Sequence, residues 1–336
     1  MTHTVKGLIR TALHSSGAVT AVRKFNRRAI RILMYHGFSS DTTGLKEQCD
    51  HIRRYYQPLS MKAISESIDA GEALPHNNVA ITIDDGYRDF FLYAYPVFRD
   101  YQIYPTVFVI SDFLDQKLWP WWNQIEWAFE HTAEESVSIS FLDGKTENMK
   151  LETQAQRLCA IKRTVDTLIT VGNTQRIKLM ELIPEILKVT VPTSPPSKWS
   201  PLGWDEVRQM VRDGVEIAGH TKTHPILSRI SDAATLLEEI EGSKQRIEEE
   251  LDQPVIHFSY PNGKLADFTK QTVEIVKSCG FRTALTSERG LNLCDADPFL
   301  LRRIGVEPDG ATCYFQELLA GIVDAPGAKT SYSSLK

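Results

Sequence analysis

Seven short apolar runs, most of them rich in β-branched residues, recur along the chain: RILMY (31–35), VAITI (79–83), TVFVI (106–110), VEIA (215–218), IHFSY (256–260), RTALT (282–286) and RRIGV (302–306). Runs this short and this continuously apolar read as strands buried on both faces. In most of the gaps, apolar residues fall at three- and four-residue spacing. That spacing predicts helices over 45–57, 87–101, 203–213, 231–252, 264–279 and 311–322, with Gly280 closing the fifth. Strand alternating with helix builds parallel strands with helices outside. Seven such units point to an α/β fold, an incomplete (β/α) barrel of seven strands, with its site at the C-terminal ends of the strands.

One interval breaks the alternation. Residues 112–200 are too long for a loop. They carry LWPWWNQIEWAFEHT, a hairpin pattern around Asp143-Gly144, and two helical stretches at 153–171 and 174–188, before VPTSPPSKWSP returns the chain to the barrel. The expected organisation is a barrel in two parts, 31–111 and 201–323, around an inserted Trp-rich cap at 112–200, with a frayed tail at 324–336.

Composition narrows the class. With 336 residues, 42% hydrophobic and 24% charged, the chain reads as globular, and its net charge of −5 gives no reason to expect nucleic-acid binding. No apolar run is long enough for a transmembrane helix. Cys49, Cys159, Cys279, Cys294 and Cys313 are scattered and form no CxxC pair, which argues against a zinc ribbon or disulfide framework and fits a cytoplasmic setting. Residues 1–30 are basic, through Lys6, Arg10, Arg23, Lys24, Arg27 and Arg28, and carry no acidic residue. Val5, Leu8, Ile9, Ala12 and Leu13 recur at helical spacing. The segment lacks the apolar core of a secretory signal. It is expected either to pack on the domain or to lie on an anionic membrane surface, which would make the protein peripheral.

The polar residues that follow the strands carry the chemistry. His36 follows the first, Asp84 and Asp85 the second, His220 the fourth with His224 four residues on, and Pro261 and Asn262 the fifth; Arg302 and Arg303 open the last. In a parallel barrel these strand ends share one face. Two imidazoles four residues apart, on one helical turn, could join one carboxylate as a facial set for a divalent cation with open positions for water and substrate. A cation would make two adjacent carboxylates tolerable, one binding the metal and the other taking a proton from water.

With these residues in place, the sequence resembles the polysaccharide deacetylase family, also called the NodB-homology domain or carbohydrate esterase family four. Its TFDDG motif is similar to TIDDG at 82–86, and its H[ST]xxH motif to HTKTH at 220–224. The resemblance covers roughly 31–110 and 202–307. It implies a distorted (β/α) barrel and metal-dependent removal of acetyl groups from sugars. It assigns Asp84 as general base and Asp85, His220 and His224 as ligands of one divalent ion, Zn²⁺ first, with Co²⁺, Ni²⁺ or Mn²⁺ as alternatives. The family's RxPY motif reads SYPNG at 259–263, so Ser259 stands where an arginine is usual, and no late histidine motif is visible. Arg303 could replace the arginine beside Asp84, with Arg302 as the fallback. The YH of MYHGF and the YPxG pattern resemble the subgroup that includes biofilm poly-N-acetylglucosamine deacetylases, in which the acid-supplying histidine precedes the DDG motif; here that is His36. A hydrogen-bonded strand-end histidine and a further metal ligand are its rival roles.

The expected reaction is de-N-acetylation of an amino-sugar glycan. The backbone N–H of Asn262 is the expected oxyanion donor, and Trp121 or Trp122 the expected sugar platform. A deformylase or amidase acting on a lipid-linked sugar, and a non-catalytic carbohydrate-binding relative, are the alternatives. A glycosidase is disfavoured, because adjacent carboxylates cannot flank a glycosidic bond at the required ~5–9 Å.

Overall fold

The computed structural model describes residues 15–141 and 146–322. Its strands are β1 (Arg31–Tyr35), β2 (Gln57–Pro58), β3 (Asn78–Ile83), β4 (Thr106–Val109), β5 (Ser136–Ser140), β6 (Thr146–Lys150), β7 (Glu216–Gly219), β8 (His257–Ser259), β9 (Thr283–Arg289) and β10 (Leu301–Gly305). The seven predicted runs are β1, β3, β4, β7, β8, β9 and β10. They pair in parallel in that cyclic order, and β10 and β3 both pair with β1, so the barrel closes. One strand short of eight, it is nonetheless complete as a ring. β2 adds at the start of β3, Gln57 opposite Asn78; two residues carry no periodic signal, and the sequence did not reveal it.

Side chains alternate along each strand. Ile32, Ala80, Phe108, Ala218, Leu285 and Leu301 come from six different strands and form one buried cluster, which we take as the barrel interior. Met61 and Ile64 join it from the helix Met61–Ala70, which the sequence reading left out. Their neighbours in sequence, such as Leu33, Ile81, Val107, Ile217 and Ile304, pack outward under the helices. Parity then decides the mouth. Asp84 continues the face of Ala80 and Thr82, His220 that of Ala218, Ser259 that of His257, and Arg303 that of Leu301. His257 is buried, its Nδ1 2.7 Å from Thr283 Oγ1.

Two predicted helices are shorter than their periodicity suggests. The 87–101 stretch holds a π-helical turn, Phe90–Ala94, followed by Tyr95–Asp100, and the 264–279 stretch is helical only over Lys270–Ser278, capped by Thr269.

Between β4 and β7 the chain forms the helix Trp121–His131, the antiparallel pair β5–β6, and the helices Gln154–Thr170 and Asn173–Ile186. The Asp143-Gly144 turn lies outside the described residues. Ile125, Phe129, Ile139, Leu168, Leu179 and Ile183 give this cap its own core. Tyr87, Ile110, Phe113, Trp119 and Trp199 join it to the barrel. Near the start, the helix Ala18–Phe25 packs on Thr312–Ala320, and Arg23 lies 4.3 Å over the Tyr55 ring. The apolar positions between Val5 and Leu13 fall outside the described residues.

Candidate active site

Asp84 and Asp85 are both buried at the end of β3 and turn to different partners. Arg303, 1% exposed, grips Asp84 with two parallel bonds: Nη1 donates to Oδ1 and Nη2 to Oδ2, each at 2.7 Å. The same guanidinium donates to Ser259 Oγ at 2.9 Å and to Thr286 O at 2.8 Å, so its fork is fixed on three strands. Burial alone would push the Asp84 carboxyl up, but the Arg303 charge, aided by His220, holds it well below the usual carboxylate range. Arg302 points elsewhere, against Gly290.

Asp85 faces the histidines. Its Oδ1 lies 3.5 Å from His220 Nε2 and 3.8 Å from His224 Nε2, and the three candidate ligand atoms lie within 4.8 Å of one another. His220 Nδ1 is 2.7 Å from Ser259 O, an acceptor only, so Nδ1 carries the proton and Nε2 is turned to the cluster. Burial works against a charge on His220, but the Asp85 and Asp84 carboxylates more than offset it and raise its pKa. Burial and the neighbouring His220 push His224 down to about 3, so it stays neutral, as a ligand must.

The local backbone is unusual. Asp85, Thr221 and His224 all have positive φ (76°, 65° and 56°), a conformation costly for residues with a Cβ and one that persists only where surroundings impose it. At Gly86, φ 85°, any Cβ would be strained by the backbone and would crowd Leu114 Cδ1 at 2.9 Å. The HTKTH segment is therefore a tight loop, not the helical turn its spacing allows. Four hydrogen bonds impose it. Thr221 Oγ1 accepts from His224 N at 3.0 Å. Glu239 Oε2, on the helix Ala233–Leu251, accepts from Lys222 N and Thr223 N at 3.0 and 2.9 Å, and its Oε1 accepts from Thr223 Oγ1 at 2.6 Å. Sequence reasoning missed Glu239, and it missed Ser259, whose hydroxyl touches the Arg303 side of the site and whose carbonyl holds the His220 side.

The remaining candidates surround a cavity of about 540 Å³ over these groups. His36, half exposed, has Nε2 4.0 Å from Asp84 Oδ2. Asn262, at φ 60°, lines the cavity, its side chain tied to Asp267 and its carbonyl accepting from Ser287 Oγ. Pro261 is buried beside it and does not line the cavity. Trp121 and Trp122 both line it. Trp121 is 9% exposed and belongs to the cap core, with Arg176 stacked 5.1 Å from its ring. Trp122 is half-buried, its ring 4.6 Å from that of His224 and its Nε1 donating to Tyr87 OH at 3.1 Å. Trp119, Trp127 and Trp199 cluster at the seam between cap and barrel.

A family model described as polysaccharide deacetylase matches residues 71–284. The poly-beta-1,6-N-acetyl-D-glucosamine N-deacetylase of Escherichia coli (strain K12) is 37% identical over 67 residues, 20% of this chain and only 10% of that protein's length. Among solved structures, the Streptococcus pyogenes deacetylase PplD in complex with acetate is similar at a TM-score of 0.57 and 17% identity, covering 87% of this chain and 98% of that one. A de-N-acetylase from Aggregatibacter actinomycetemcomitans gives 0.57 at 15% identity, over 86% and 99%. At these identities the structural likeness is one of fold.

Proposed function

This chain belongs to the polysaccharide deacetylase family, and from that premise we propose that it hydrolyses the N-acetyl amide of an amino-sugar-containing glycan and releases acetate. The observation that carries the reading is the division of labour between adjacent carboxylates: Asp84 is bound to a guanidinium, Asp85 to two imidazoles.

The Asp85–His220–His224 set fits a divalent cation. Its donor atoms converge, His220 is locked in the ligating tautomer and His224 is neutral. Two imidazoles and one carboxylate suit Zn²⁺, and Co²⁺, Ni²⁺ or Mn²⁺ accept the same donors. Such an ion supplies Lewis acidity toward the acyl carbonyl and toward water. Asp84, ionised under Arg303, takes the proton of the attacking water, and Arg303 with Ser259 fixes the direction of its lone pairs. The Asn262 N–H is a donor for the oxygen on which negative charge develops. His36 stands on the open side of Asp84 and donates a proton to the departing sugar amine. Trp122 walls the site beside His224 and offers a ring face to the sugar.

A second reading keeps the site and changes the substrate: a deformylase or amidase on a lipid-linked sugar, favoured by the apolar cap residues Val165 and Ile169 in the cavity wall. Residues 1–30 would then meet an anionic membrane. Among the described residues no helix is long and apolar enough to cross one.

The test is a panel of N-acetylated oligosaccharides and N-formyl and lipid-linked sugars, incubated with Zn²⁺- or Co²⁺-loaded protein, with acetate and formate measured. Acetate from oligosaccharides, abolished by chelation and restored by metal, supports the main reading. Formate alone moves the function to the second, and neither acid from any member sinks both.

A further inference from the structure

The cleft over Asp85 has two arms of opposite charge. His36, Asp85 and Trp122 line both the 540 Å³ cavity and a second, of about 730 Å³, that adjoins it. The second arm is acidic: Asp89, Glu126, Glu307 and Asp309 line it, and its one lysine, Lys198, is bonded to Glu126 at 2.7 Å. In the first arm the charged residues beyond the catalytic cluster are Lys264 and Arg289. Lys264 Nζ donates to Ser287 O at 2.8 Å and Arg289 Nη2 to Tyr314 OH at 3.2 Å, which holds both cationic heads at the rim. Val165 and Ile169 of the cap helix Gln154–Thr170, with Ile226 and Met34, line the same arm.

Resting on the reading of the site as a sugar de-N-acylase, we infer that its substrate is an N-acetylamino sugar bearing an anionic substituent (a phosphate, pyrophosphate or carboxylate), which lies in the Lys264–Arg289 arm while the acyl group lies over Asp85. An anionic sugar is drawn into one arm and repelled from the other, so the charge pattern fixes which way round it enters. The aliphatic side chains of the same arm accept a ring face or the first methylenes of a chain attached beyond the anion.

Binding tests this separately from turnover. The metal-loaded Asp84→Asn protein is titrated by calorimetry with N-acetylglucosamine and with N-acetylglucosamine 1-phosphate, and again with Lys264→Gln and Arg289→Gln added. The phosphorylated sugar is expected to bind about tenfold or more tighter at low salt, less so as salt screens the contact, and the ratio to fall toward one in the added variants. Equal affinity, no binding of either sugar, or a preference that survives both substitutions (the phosphate then sitting on the metal) overturns the inference. A nucleotide-diphosphate sugar, a prenyl-phosphate sugar and a uronate-bearing oligosaccharide, compared in the same way, distinguish the source of the anion. Failure of the de-N-acylase reading is a different result: sugars bind with the expected preference, yet the wild-type protein releases no acid from them.

Discussion

The barrel rim and the cap face each other across one cavity but hold their side chains differently. On the rim the central polar groups are pinned by hydrogen bonds across strands, Arg303 by Asp84, Ser259 and Thr286, and His220 by Ser259. On the cap, Val165 and Ile169 rest by apolar contact on a core that belongs to the cap itself, and Trp122 is tied through its Nε1 to Tyr87 OH. The rim is therefore built for geometry that cannot vary, and the cap for a wall that can change shape without disturbing the chemistry. Substitutions on the rim should alter turnover or metal affinity; those on the cap should alter which substrate binds.

The largest effect is expected at Arg303. Arg303→Ala leaves Asp84 buried without its partner, which costs on the order of 3–5 kcal/mol of stability, read by urea denaturation. The sign with pH follows from Asp84, whose pKa lies below its unfolded value. The pair stabilises above about pH 4 and the contribution is lost as pH falls through the folded pKa. In the variant the acidic limb of the pH–rate profile moves upward. An unmoved limb would show that Arg303 does not hold Asp84 ionised.

Next comes His36→Ala, expected to keep metal and fold while kcat falls by about 10²–10⁴. Loss of metal would make His36 a ligand. Near-normal kcat with lowered Tm would make it a structural strand-end residue.

Glu239→Gln sharpens the comparison, because Glu239 touches neither substrate nor metal. Removing its charge should loosen the loop bearing both histidines and weaken Zn²⁺ binding by about 10–100-fold, the scale of supporting residues around metal ligands, with Tm of the metal-free protein changed far less. Unchanged Zn²⁺ affinity would show that the loop holds its strained form without the carboxylate.

The smallest effect is expected on the cap. Trp122→Ala should raise KM for oligomeric substrates several-fold, in line with loss of one stacked ring worth roughly 1 kcal/mol, and leave metal content intact. A fall in kcat with constant KM would place Trp122 with the rim and blur the distinction.

The two regions also differ in how legible they were. The barrel strands are continuous apolar runs, and because parallel strand ends share one face the sequence brought Asp84, His220 and Arg303 together; it left Arg302 as the fallback, and the two bonds from Arg303 to Asp84 decide between them. The HTKTH loop was misread as a helical turn because a spacing of four suits both, and nothing in Thr221 or His224 announces a positive φ. Glu239 was invisible for a different reason. It sits in LLEEIEGSKQRIEEE, where its neighbours Glu238 and Glu241 look the same in pattern, and only packing against the loop singles it out. Ser259 marked a departure from the family pattern; that its hydroxyl meets the relocated arginine emerged only when β8 and β10 met at the barrel mouth. In the cap, spacing foretold the helices Gln154–Thr170 and Asn173–Ile186 but not Trp121–His131, and which tryptophans seal the seam and which face the cavity depended on how the insertion docks.

The claim on which everything rests is that adjacent aspartates do different work, Asp85 holding the cation and Asp84 only serving as base. Metal stoichiometry by mass spectrometry under native conditions, compared for wild type, Asp84→Asn and Asp85→Asn after loading with Zn²⁺ and removal of excess, tests it most directly. One ion is predicted in wild type and in Asp84→Asn, and little or none in Asp85→Asn. An ion lost from Asp84→Asn and kept in Asp85→Asn, or a wild-type protein that retains none, would contradict it.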